Sequence, residues 1–174
     1  CESAGTAFAI TERMNQLAAR LAQDHRELDT ILRCLAQDAE APCAGVLEST
    51  WDGFERRLIR HMQAEEQFLL PLVEASNPVE VARTLQEHAQ IRDLIAELGV
   101  AIELHAVRAS DIYRLIDLLR THAKHEDEAL YQLAGDKASV AVEHGIFAAL
   151  KAALHLGPSG HAEPLSGAQA RARS

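Results

Sequence analysis

The chain has 174 residues, enough for one domain with a sizeable hydrophobic core. Apolar residues make up 48% of it and aromatics only 4%, so the core must come from Leu, Ala, Ile and Val, which favours helices over a β-sandwich. A formal charge of −9, with no basic stripe, argues against a nucleic-acid partner, because phosphates call for a cationic surface.

Apolar residues recur with a helical period in five stretches. Helix A is expected from about Phe8 to Gln37, with Leu17, Leu21, Leu28, Leu32 and Leu35 on one stripe. The segment Asp38 to Gly45 contains Pro42 and Gly45 and reads as a connection. Helix B follows from Val46 to Ala75, with Trp51, Phe54, Leu58, Phe68 and Leu72 inward. Asn77 suits an N-cap and Pro78 the first position of helix C. That helix is expected to reach about Val107, with Val81, Leu85, Ile95 and Ile102 inward. Ser110 or Asp111 starts helix D, which carries Leu115, Leu119, Ala129 and Leu133 to about Ala134, where Gly135 closes it. A shorter helix, roughly Ser139 to Leu156, packs across the bundle or at a subunit contact. The tail 157–174, rich in Gly, Pro, Ser and Ala, is expected to be disordered.

Short connections between long amphipathic helices predict an all-α, up-down-up-down four-helix bundle with an additional C-terminal helix. Residues 1–156 form that domain. No apolar run approaches the roughly 20 residues that span a bilayer, and the N-terminal residues hold no signal-peptide h-region. Cys1, Cys34 and Cys43 show no metal-binding spacing and fit free thiols in a reducing compartment, although Cys34 and Cys43 could also pair across a loop. The expectation is a cytoplasmic monomer or homodimer without a membrane partner.

Polar residues interrupt every stripe. His25 follows Leu21 on helix A. On helix B, Leu58, His61, Glu65 and Phe68 form one series, and on helix D it is Leu119, His122, Glu126 and Ala129. Helix C gives Leu85, His88, Ile91 or Arg92, then Ile95. Each helix thus puts one histidine on its buried face, and two add a glutamate four residues later, about 6 Å along the axis. Two buried carboxylates repel and each costs several kcal/mol when unpaired. Either their protons stay on, or something cationic lies between them. A metal pair would neutralise both glutamates and take neutral imidazoles as donors. A lone core histidine is more often a hydrogen-bonded residue than a ligand, but four of them with two His-x-x-x-Glu pairs favour metal. His125 flanks the helix D stripe as an extra candidate. His105, His144, His155 and His161 read as solvated.

The segment His61-Met62-Gln63-Ala64-Glu65-Glu66-Gln67-Phe68-Leu69-Leu70-Pro71 resembles the helix B signature of the hemerythrin-like, or HHE cation-binding, family. The stretch from His122 through His125-Glu126 to Tyr131 resembles its helix D half, and Asp24-His25 and Glu87-His88 supply the isolated histidines. The likeness implies a non-haem di-iron cofactor bridged by Glu65, Glu126 and an oxo, hydroxo or water group, with His25, His61, His88 and His122 as terminal ligands. Zinc or manganese suits the same donors; the family likeness selects iron. Oxygen-carrying members have a further histidine where this chain has Arg92, which leaves more open positions and disfavours simple oxygen carriage.

The implied role is binding of O2, NO or iron itself for sensing, buffering or storage. The alternatives are an enzyme acting on peroxide or nitric oxide, with Tyr113 or Tyr131 as redox partners, an iron donor in iron–sulfur repair, or an interaction module whose histidines only hydrogen-bond. No Glu-x-x-His of the ferritin-like type and no His-Glu-x-x-His zincin motif occurs.

Overall fold

The computed structural model describes the backbone of residues 2–40, 46–135, 137 and 139–155, and side chains within 16–40, 46–134, 137 and 139–151. The expectations for Cys1, Cys43, His155, His161, residues 41–45 and the tail lie outside that set. Every described element is helical. α1 spans Glu2–Glu40, six residues earlier than Phe8, and α2 spans Val46–Ala64. A π turn, Glu65–Leu69, joins α2 to α3, Leu70–Glu74. α4 spans Pro78–Glu103 and α5 Ala109–His125. A second π turn, Glu126–Leu130, leads to α6, Tyr131–Gly135, and α7 spans Val140–His155.

α1 packs against α2 and α5, and α4 packs against the same two. This closes a four-sided bundle of the kind that short connections dictate. α7 lies along α2 and the first π turn, with Ile146 and Leu150 buried. Two apolar clusters fill the interior. One gathers Trp51, Phe54, Leu58, Ile95, Leu98 and Ile112; the other holds Leu17, Leu21, Leu70, Val73, Leu130 and Ile146 at the opposite end. The histidines and glutamates lie between them.

Local chemistry sets the helix ends. Asn77 Oδ1 accepts the Glu80 N–H at 3.2 Å, a side-chain N-cap ahead of Pro78,. α4 stops four residues short of Val107. His105 takes a left-handed conformation, φ 52°. The Ala106 N–H then reaches the Ala101 carbonyl at 2.8 Å and the His105 N–H reaches Ile102, the bond pair of a Schellman cap. α5 begins at Ala109 rather than at Ser110 or Asp111, because Asp111 Oδ2 accepts the Arg108 N–H from the first turn.

Several inward assignments need correction. Phe68, Leu72, Leu119, Ala129 and Leu133 are only half-buried, whereas Leu69, Leu70, Val73, Leu130, Tyr131 and Ala134 are buried. Downstream of each glutamate the π turns explain the difference. The Leu70 N–H donates to the Glu65 carbonyl and the Tyr131 N–H to that of Glu126, five residues back rather than four. Each π turn therefore holds one extra residue and rotates the following stripe by one position. Phe68, turned outward, is covered by α7 at Gly145, where an added Cβ would stand 2.6 Å from its ring. Leu85 is 44% exposed, since Thr84, not Leu85, shares the face of His88 and Ile91.

Candidate metal centre

His25 comes from α1, His61 from α2, His88 from α4 and His122 from α5. Glu65 and Glu126 are the first residues of the two π turns. The structure brings all six together in the middle of the bundle. His61, Glu65, His88, His122 and Glu126 are buried and His25 nearly so. They form two groups of four, His25/His61/Glu65/Glu126 and Glu65/His88/His122/Glu126, whose donor atoms lie within 4.8 Å of one another. Both glutamates belong to both groups.

Each carboxylate divides its oxygens between the groups. Glu65 Oε1 lies 3.2 Å from His61 Nε2, and Oε2 lies 3.4 Å from His88 Nε2. Glu126 Oε2 lies 3.3 Å from His25 Nε2, while its Oε1 lies 3.2 Å from His122 Nε2 and 3.4 Å from His88 Nε2. The Nε2 atoms of His61, His88 and His122, with Glu65 Oε2 and Glu126 Oε1, are buried without hydrogen-bond partners. Buried polar atoms are normally satisfied, and unpaired imidazole nitrogens and carboxylate oxygens converging on one volume make a donor set that suits a metal ion.

The opposite edges of three rings are held by acids. His61 Nδ1–H donates to Asp24 Oδ2 at 2.8 Å, and Asp24 in turn accepts Arg57 Nε–H at 2.9 Å. His88 donates to Glu66 at 2.8 Å, where Arg92 also donates at 2.8 Å. Glu87 Oε2 accepts from His122 at 2.9 Å and from His125 at 2.8 Å. A carboxylate can only accept, so these bonds put the proton on Nδ1 and leave Nε2 as the free donor. His125 pairs on its other side with Glu80 and stands outside both groups. Arg92 reaches Glu66 rather than the centre. His105 and His144 are exposed, in line with a solvated role.

Asp24 and Glu87 precede ligand-type histidines in the chain, yet each serves a histidine on another helix. Adjacent residues on a helix diverge by about 100° and cannot face one another, so pattern reading could find the acids but not their partners. Tyr131 is the other residue that periodicity did not place. Its hydroxyl donates to Glu65 Oε1 at 2.6 Å and contacts Glu126 Oε2 at 3.2 Å. Tyr113 is 45% exposed and far less suited to a role at the centre.

Without metal, protons neutralise the cluster. Burial pulls the His61 and His88 pKa values down, but the neighbouring carboxylates outweigh it: His61 lies well above the ordinary range and His88 reaches about 10. Burial pushes the Glu65 and Glu126 pKa values up, and the histidines reverse it, so both stay below the usual carboxylate value. Burial and the two carboxylate charges push Tyr131 well up, so it remains a donor. Glu87, desolvated but holding two imidazoles, falls to about 2. The charge problem is thus met by protons on imidazole, not on carboxylate.

Fold and cluster together define a helical bundle with a cation-binding donor set in its interior. A sequence model of the hemerythrin HHE cation-binding domain matches residues 12–134, and the chain belongs to that family. No curated protein and no solved structure matches it. No helix among the described residues is long and apolar enough to cross a membrane.

Proposed function

We propose that this chain is a non-haem di-iron protein that binds a small diatomic ligand, O2 or NO, for sensing or buffering, with His25, His61, His88 and His122 as terminal ligands and Glu65 and Glu126 as bridges. One observation carries the reading: two four-donor groups share the two glutamates, and each glutamate presents one oxygen to each group. Membership of a cation-binding family supports it. Bound iron would supply a redox-active Lewis acid that can bind such a ligand.

The chain's own residues would do the rest. Asp24, Glu66 and Glu87 orient three imidazoles and fix their tautomers. Leu28, Leu32, Leu58 and Leu119 line a cavity of ≈ 40 Å³ that ends on His25, His61 and His122. Asp29, Arg120 and Ala123 complete the lining, and its mainly apolar surface suits a small uncharged diatomic ligand. Tyr131 holds its proton against the bridging carboxylates.

Metal analysis tests the first half: iron should exceed zinc and manganese and approach two per chain. A reversible spectral change on adding O2 or NO, without turnover, tests the second. Steady turnover of peroxide, abolished by Glu65→Ala, would select the enzymatic alternative instead. A total iron, zinc and manganese content near zero, with the fold intact, would leave only an interaction module.

A further inference from the structure

The two four-donor groups are not equivalent. In the group of His88 and His122, all four converging atoms (His88 Nε2, His122 Nε2, Glu65 Oε2 and Glu126 Oε1) are buried and lack any hydrogen-bond partner. Both imidazoles are also oriented from behind, by Glu66 and Glu87. No side-chain hydrogen bond in this half has to be broken when a cation arrives; only a proton on imidazole must leave.

The other half differs on three counts. Its carboxylate oxygens, Glu65 Oε1 and Glu126 Oε2, are both engaged by the Tyr131 hydroxyl, which also lies 3.5 Å from His25 Nε2. His25 is the one ring of the four whose Nδ1 has no hydrogen-bond partner; the nearest acid, Asp127, is 3.9 Å away and 44% exposed. Its side chain is also 11% exposed, against 2% or less for the other three. Only His61 on this side is oriented by an acid, through Asp24 and Arg57.

We infer that the centre fills in two unequal steps: a first cation binds tightly between His88 and His122, and a second binds more weakly between His25 and His61, where the Tyr131 hydroxyl must give way. This rests on the metal-centre reading above and adds an order of occupancy to it. A missing outer partner on a metal-ligating histidine costs about 10–100-fold in affinity, so the steps should differ by at least about ten-fold. The single-metal form is then a stable species in which Tyr131 holds the bridging carboxylates in place.

The test uses the full chain, loaded and then challenged with graded chelator, with metal per chain measured at each step; zinc titration by calorimetry and cobalt by visible absorption give the reverse direction. The expected result is a plateau at one metal per chain. His25→Ala should still retain one metal, Glu87→Gln should weaken the first step, and Tyr131→Phe should tighten the second by removing its competitor. Two metals bound and lost with one affinity overturn the inference alone, as does loss of both metals together in His25→Ala. A well-folded wild-type chain that takes up no metal overturns the metal-centre reading and this inference with it. Circular dichroism on each variant separates these outcomes from a failure to fold.

Discussion

His105 shows how a single residue can set a boundary that hydrophobic pattern cannot see. It ends α4 in the left-handed region, φ 52°, where a Cβ costs roughly 1–2 kcal/mol and glycine is free of that cost. Its side chain is exposed and has only a 3.5 Å contact to Glu48, a pair of negligible worth at the surface. His105→Gly should therefore stabilise the chain by about 0.5–1 kcal/mol in denaturant unfolding; destabilisation would mean the cap is not the dominant effect. The acids behind the histidines work on the same scale. Asp24→Asn should keep the fold yet weaken metal binding by about 10–100-fold, read by competition with a chelator. Glu87 holds its charge down to about pH 2. The stability it adds is present above the unfolded carboxyl value near 4.5 and is lost as pH falls toward 2, so Glu87→Gln should flatten part of the acid-unfolding profile.

At the scale of elements, the two π turns connect site to core. Each begins at a central glutamate and lets the stripe behind that residue restart one position later. If the same residues were wound as regular α-helix, Phe68 and Leu72 would face the core and Leu69 and Val73 would turn toward solvent,; burying each such side chain contributes about 1.5–3 kcal/mol. Deleting the exposed Gln67 removes the extra residue and should give regular helix that keeps Leu69 and Val73 inward, whereas inserting one alanine after Gln67 should turn both away from the core, lower stability by at least about 3 kcal/mol and reduce metal per chain. Thermal melting and metal analysis check this; an unchanged melt of the insertion variant would show that the turn does not set the register of the stripe. α7 answers the same irregularity from outside, since Gly145 admits the displaced ring of Phe68. Gly145→Val forces that ring aside and should cost about 1–3 kcal/mol, as overpacking does.

For the whole molecule, the central question is how a bundle tolerates two buried glutamates. In the metal-free chain His88 stays protonated up to about pH 10. Its folded pKa lies above the unfolded value near 6.5, so the stability it contributes is complete below that value and lost as pH rises through about 10. The metal-free melting temperature should fall across that window, and the loaded protein should lack this fall, because a ligating imidazole is already neutral. Metal uptake near neutral pH should release protons, measurable with an indicator dye. Metal in hundred-fold excess over its dissociation constant should add about 2.7 kcal/mol per site.

Composition and the helical period, read from the chain alone, determined the class of fold, the four principal helices and the six polar residues that interrupt their stripes. Those features are local: spacing along one helix decides which face a residue occupies, and His-x-x-x-Glu puts both groups on the same one. Where local signals compete, the sequence was ambiguous. Thr84 and Leu85 illustrate it: the threonine rather than the leucine went inward, because the direction of the stripe is fixed by packing against α2 and α5.

Only the tertiary structure decided which acid orients which histidine, that His125 stands apart from both donor groups, and that Tyr131 meets the two glutamates. Apart from Tyr131–Glu126, these contacts join residues 22 to 66 positions apart, and Tyr131 itself lies just beyond a π turn that no hydrophobic period announces. A one-residue insertion turns every later side chain by about 100°, so the pairing across the bundle follows from packing of the whole core and not from any one segment.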